Sequence, residues 1–106
     1  DVLTGIPTSI GHYIGKVKVV RGIQDFSKVL QGDVLVVPYS DVGWTPLFAR
    51  AGAVVAESGG LLSHSSIVAR EYNIPAVVSV EGATLLPDET LVTVDGHKGE
   101  IYIHAK

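Results

Sequence analysis

The chain has 106 residues, 46% of them hydrophobic and 18% charged, with a net charge of −3 and neither cysteine nor methionine. That length and composition give one globular domain with a single modest core, and they exclude disorder. The missing cysteines remove disulfides, thiolate metal sites and cysteine nucleophiles. No apolar run reaches the ~18 residues of a membrane span, and the absence of a basic stripe argues against nucleic acid. No signal peptide opens the chain, so a cytoplasmic location is expected. Asp1 stands where an initiator would, and is read as a processed end or the start of a piece of a longer chain.

In chain order, 13-YIGKVKVV-20 alternates and is β-branched, which predicts a strand. A short helix is expected over 24-QDFSKVL-30, ended by the turn 31-QGD-33. The run 34-VLVVP-38 is continuously apolar and reads as a strand buried on both faces. Asp41 is placed to cap a short helix through 44-WTPLFARA-51, with Pro46 tolerated in its first turn. A second buried strand, 52-GAVVAE-57, runs into Gly59 and Gly60. A helix over 64-HSSIVAREY-72 follows, with Asn73 as its C′ residue and Pro75 as its stop. A third buried strand is expected at 76-AVVSV-80. Beyond the turn at Pro87-Asp88, 90-TLVTVD-95 and 100-EIYIH-104 alternate around Gly96–Gly99 as a hairpin-like pair. The middle therefore reads as α/β and the ends as β meander, without repeat or linker: a compact layered single domain over 1–106.

The chemistry concentrates in 59-GGLLSHSS-66. A buried strand, a glycine turn and a helix start together make a common anion site, because the first N–H groups are unpaired and the helix dipole is positive there. The pattern is neither a P-loop nor a dinucleotide fingerprint. His64 stands where the anion would sit. A positive helix end disfavours imidazolium, which leaves a lone pair able to attack phosphorus. The N–H groups of Ser65 and Ser66, with Gly59 and Gly60, are then candidate phosphate contacts. Ser63 is placed to cap the helix and orient the ring, and Ile67 and Val68 to pack beneath it. On residues alone an ordinary first-turn histidine competes with this reading.

A metal site is disfavoured, since His12, His97 and His104 show no paired spacing with His64. A serine hydrolase would want G-x-S-x-G around Ser58, Ser63, Ser65 or Ser66, and it is absent. Arg70 is the only cation from Glu57 to Gly82. Six positions beyond His64, it reads as an ion-pairing residue in preference to a phosphate contact, and stands as a secondary candidate. Phosphoryl transfer needs cationic charge on the moving oxygens, so a clamp is expected on other domains.

The run 59-GGLLSHSSIVAREYNIPAVV-78 resembles the phosphohistidine, or mobile swivelling, domain of the PEP-utilising enzymes, with its G-G-x-T-S-H-x-x-I-x-A-R…I-P-A-V pattern. The likeness extends from 5-GIPTSIGHYIGKVKVV-20 to 94-VDGHKGEIYI-103. The segment 32-GDVLVVPYSDVGWTPLFARAGAVVAESGG-60, with Asp41, Trp44 and Pro46 in matching positions, is most similar to the phosphoenolpyruvate synthase and rifampin phosphotransferase branch. Leu62 replaces a common threonine, Ser65 and Ser66 a common alanine or glycine, Val42 a proline and Ser79 a glycine.

The resemblance implies a swivelling β/β/α fold and a phosphoryl carrier. His64 would take a phosphoryl group at an ATP site and deliver it to a pyruvate, phosphoenolpyruvate or other acceptor site. Both sites, with ATP and Mg²⁺, would lie on partner domains in cis or trans, with no cofactor in this one. The alternative is a stand-alone docking or regulatory module of the same fold.

Overall fold

Three short runs of valine, leucine and alanine have no polar face to leave to water, because every residue in them is apolar. In a computed structural model, which describes residues 1–104, they lie side by side as β4 (Val34–Val37), β5 (Ala53–Ala56) and β6 (Ala76–Val78), buried throughout. They pair in parallel, β4 with β5 and β5 with β6. Strand β3 (His12–Val19) joins the two ends of the sheet. Its second half, Val17–Val19, pairs in parallel with Val34–Val36, and its first half pairs antiparallel with β7 (Leu91–Asp95). The strand β8 (Glu100–Ile103) follows β7 as the expected hairpin.

Two strands went unread in the sequence, β1 (Val2–Thr4) and β2 (Ile6–Ser9). Both are short, β1 mostly exposed and β2 half buried, and they close opposite edges of the sheet. The β1 strand pairs with β8 and β2 with β6, giving the order β1-β8-β7-β3-β4-β5-β6-β2. Their partners lie far away in the chain, so no local periodicity marks them.

The single expected core is divided between two layers. Val34, Val36, Val55 and Val77 face Val92, Val94 and Ile101 of the antiparallel half, sheet against sheet. Leu35, Val37, Val54 and Ala76 point the other way, to Trp44, Leu47, Phe48, Val68 and Ala69. Those last residues come from the helical layer: a 3₁₀ turn at Val42–Trp44 continuing into α1 (Thr45–Phe48), and α2 (His64–Glu71). Two sheet faces and one helical face make the β/β/α arrangement of an α/β domain. The helix expected over 24–30 is a 3₁₀ turn at Ile23–Lys28 with no buried residue, so it lacks the apolar face that would stabilise a longer α-helix.

Local rules explain the ends of the helices. Asp41 caps the first 3₁₀ turn through Gly43 N–H at 3.0 Å, and Pro46 sits in the first turn of α1. Past α2, Asn73 takes φ 58°. The N–H of Ile74 reaches Ala69 O at 3.0 Å and that of Asn73 reaches Arg70 O at 3.3 Å, which is a Schellman motif.

Charged groups tie the halves together. Lys18, 8% exposed, bridges Asp33 at 2.9 Å and Glu89 at 2.7 Å. The Glu89 hydrogen bond, then Asp33, raises the lysine above its ordinary pKa against desolvation.

Candidate functional site

The parallel strands all end at the same edge of the sheet, where a doubly wound sheet collects its ligands. The loop after β4 (Pro38–Asp41) and the loop after β5 (Glu57–Ser63) meet there, joined by Ser58 Oγ donating to Pro38 O at 2.8 Å. His64 opens α2 above this junction and is half-buried.

Its ring is held on three sides. Nδ1 lies 2.8 Å from Ser40 Oγ, Nε2 lies 3.1 Å from Thr45 Oγ1, and Phe48 meets the ring edge-on at 5.6 Å. Sequence reasoning missed Ser40 and Thr45, which lie 24 and 19 residues from His64. A usable signal existed: both are small hydroxyl residues following the carboxyl end of a buried strand. Phe48 adds an edge contact to the ring beyond the packing expected from Ile67 and Val68. Ile67 is 42% exposed, and Val68 goes into the helical core.

Ser63 occupies the N-cap position of α2, with φ −70° and ψ 160°, but its side chain caps nothing. Its hydroxyl donates to Gly60 O at 2.8 Å and meets Ser66 Oγ at 3.0 Å, while Ser66 donates to the same carbonyl at 2.6 Å. The expected capping and ring orientation by Ser63 is therefore corrected. The two hydroxyls fasten the glycine turn to the helix, and Ser40 and Thr45 orient the ring. Because no side chain caps α2, its leading N–H groups keep their anion-binding capacity.

The other candidates divide by burial and contact. Ser65 is 4% exposed and bonds Ser40 Oγ at 2.6 Å, and Ser66 is fully buried. Their hydroxyls turn inward, so any phosphate contact from these residues would come from the backbone. Gly59 needs its glycine: φ is +115°, and a Cβ would come within 2.8 Å of Ser63 Oγ. At Gly60 a Cβ would meet nothing within 4 Å, so that position faces open space. Among the described residues Arg70 forms no ion pair, contrary to expectation. Its guanidinium donates to Thr8 O at 2.8 Å and Leu61 O at 2.6 Å, bracing the loop that leads to His64.

The surroundings are apolar. Tyr39, Leu61 and Leu62 on the two loops are 54%, 60% and 83% exposed, and Val42 at the start of the 3₁₀ turn is 80% exposed. No hydrogen bond of His64 among the described residues involves a charged group. Among those residues no three His, Cys, Asp or Glu side chains are placed to hold a metal ion. His12 lies instead 3.3 Å from Asp95 and stacks on His97, and His104 bonds Thr93 Oγ1 at 2.6 Å. Among the described residues no helix is long and apolar enough to cross a membrane.

Comparison with known proteins identifies the family of the chain. A family profile described as the mobile domain of PEP-utilising enzymes matches residues 29–99. A rifampicin phosphotransferase of Bacillus cereus is 40% identical over 104 residues, covering 97% of this chain and 12% of its own. A phosphoenolpyruvate synthase of Aeropyrum pernix is 43% identical over 106 residues, covering 98% and 13%. The chain thus spans about an eighth of the relatives it matches. In three dimensions it superposes on the holo-form of an aconitase X from Thermococcus kodakaraensis. The TM-score is 0.76 at 19% identity, over 99% of both chains, a likeness of fold alone.

Proposed function

The chain belongs to the mobile-domain family of PEP-utilising enzymes, and from that premise we propose that His64 is the residue on which it receives a phosphoryl group. In this reading the domain carries a phosphoryl group from a nucleotide site to an acceptor site, both on partner domains. One observation carries it: the half-buried ring of His64 stands at the uncapped start of α2 with both nitrogens on neutral hydroxyls. Such a ring is held in place without a charge that would compete with an incoming phosphate. The N–H groups beside it suit the dianion the ring would acquire.

Transfer of a phosphoryl group also needs cations on its oxygens. Arg70 spends two donors on backbone carbonyls, and the rim of the site is apolar. The loading clamp, Mg²⁺ and ATP therefore belong to a partner domain, with ATP giving its β-phosphate as the family resemblance implies. The acceptor, pyruvate or another nucleophile, belongs to a second. Isolated, the domain would not turn over.

The test supplies the protein with its nucleotide-binding partner, Mg²⁺ and ATP labelled at the β-phosphate. Acid-labile, base-stable label is expected on the wild type and absent from His64→Ala. Label that persists in the variant, or never appears with a competent partner, would refute the carrier role and leave a docking or regulatory module.

A further inference from the structure

The carrier reading leaves open what holds the ring while its charge and protonation change, and the inference that follows rests on it. Ser40 Oγ lies between two partners, 2.8 Å from His64 Nδ1 and 2.6 Å from Ser65 Oγ. Each of these two gaps needs one proton, and Ser40 owns a single one. Two polarities use that proton within the row; a third, with Nδ1–H and Ser65 both donating to Ser40, would turn it out of the row.

In the first, Ser65 donates to Ser40 and Ser40 donates to Nδ1. The ring proton then sits on Nε2, facing Thr45 Oγ1 at 3.1 Å. Each proton of Ser65, Ser40 and the ring finds an acceptor, which suits the unloaded ring. In the second, Nδ1–H donates to Ser40 and Ser40 donates to Ser65. Nε2 then carries its lone pair on the Thr45 side, accepting from the Thr45 hydroxyl at 3.1 Å until phosphorus displaces it. The Nδ1 side stays closed, because Ser65 behind Ser40 is 4% exposed.

We propose that Ser40, backed by Ser65, is a positioning residue that keeps the His64 ring in one orientation through loading and unloading by reversing the direction of its hydroxyl proton. A hydroxyl donates and accepts through one atom, so it can follow Nδ1 through both protonation states. A carboxylate or an ammonium could bond only one of them.

During loading, the ring proton passes from Nε2 to Nδ1 by exchange with water at the half-exposed ring, and Ser40 turns to accept it. The Nε2 pair forms the nitrogen–phosphorus bond. The bond from phosphorus to the leaving oxygen of the phosphoric anhydride breaks, and its electron pair departs on that oxygen. The proton stays on Nδ1, where Ser40 holds it and it offsets part of the phosphoryl charge. Unloading returns the nitrogen–phosphorus pair to Nε2 as an acceptor oxygen bonds to phosphorus.

The test is ¹⁵N NMR of histidine-labelled protein, loaded and unloaded, in wild type and in Ser40→Ala, Ser40→Thr and Ser65→Ala. In wild type the unloaded Nδ1 signal should show an accepted hydrogen bond, and the loaded one an N–H. Ser40→Ala should move the unloaded Nδ1 signal downfield. It should also slow loading about tenfold at saturating nucleotide while leaving KM for nucleotide unchanged. Ser40→Thr should restore both. Ser65→Ala keeps the Ser40–Nδ1 bond and should slow loading less, about threefold. A Ser40→Ala variant that loads at the wild-type rate, or whose Nδ1 signal stays in place, overturns the proposal. A wild type that never loads overturns the carrier reading instead, and the unloaded Nδ1 signal still decides the role of Ser40.

Discussion

Arg70 donates to the carbonyl of Leu61 at 2.6 Å, nine residues back along the chain, and so ties the body of α2 to the loop that presents His64. Its other arm reaches Thr8 O on the edge strand β2 at 2.8 Å. One planar fork therefore fixes helix, loop and sheet edge together. A lysine has the charge but not the fork. Arg70→Lys is expected to lower phosphoryl loading of His64 about threefold to tenfold. It should also speed hydrogen exchange at Leu61–Ser63. Unchanged exchange with lost loading would point to a direct phosphate contact instead.

Thr8 itself supplies a second prediction. Its side-chain oxygen is buried without a hydrogen-bond partner among the described residues, in a residue 6% exposed. Thr8→Val keeps the shape and the β-branch while removing that oxygen. The variant is expected to be more stable by about 1 kcal/mol, or a few degrees in Tm, by calorimetry.

Ser79 follows β6 with φ 59°, a left-handed conformation that a Cβ makes costly. Glycine, the residue common in the family there, removes the strain at some cost in unfolded-chain entropy. Ser79→Gly should stabilise by about 0.5–1 kcal/mol in urea unfolding. A destabilised variant would mean that the serine hydroxyl matters more than its backbone.

The pH dependence of stability should be lopsided. The N–H of Lys98 leads in holding Asp95 below its ordinary pKa; burial opposes it, and His97 N–H and His12 assist. Burial is also the largest influence on Asp88. It works upward, yet the Val19 N–H and Lys28 together win and hold that carboxyl low. A lowered carboxyl contributes stability above its unfolded value of 3.8. That stability is lost as pH falls through the still lower folded value. Lys18, raised above 10.5, contributes below that value and loses its share as pH rises past its folded one. Denaturant midpoints should therefore change least between the two limits. Asp95→Asn should flatten the acid limb.

The apolar rim should matter to encounter and not to chemistry. Leu62 and Val42 are 83% and 80% exposed, so neither supports the fold. Leu62→Asp should leave stability within about 0.5 kcal/mol. It should raise the KM for this domain as substrate of its loading partner about tenfold, with kcat nearly unchanged.

Much of the fold was written locally. Uniformly apolar runs can only be interior strands, Asn73 suits the left-handed end of α2, and Gly96–Gly99 separates two alternating strands. The glycine pair before His64 marked the site in the same local way. The edge strands β1 and β2 were not legible, because their pairing with β8 and β6 depends on residues more than sixty positions away. Nor does the fold settle the activity, since an aconitase X domain shares it at 19% identity.

The sequence by itself determined the layered α/β class, the position of His64 at a helix start and the shortage of cations around it. Those follow from short-range pattern: periodicity, glycine turns and charge count. Only the tertiary structure decided what touches the ring. Ser40 and Thr45 reach it because parallel strands end at one edge of the sheet and bring their loops together. Ser63, adjacent in sequence, turns away to the Gly60 carbonyl, which it shares with Ser66. Contact between residues 24 apart is a property of the sheet that stacks them, and no window along the chain contains it.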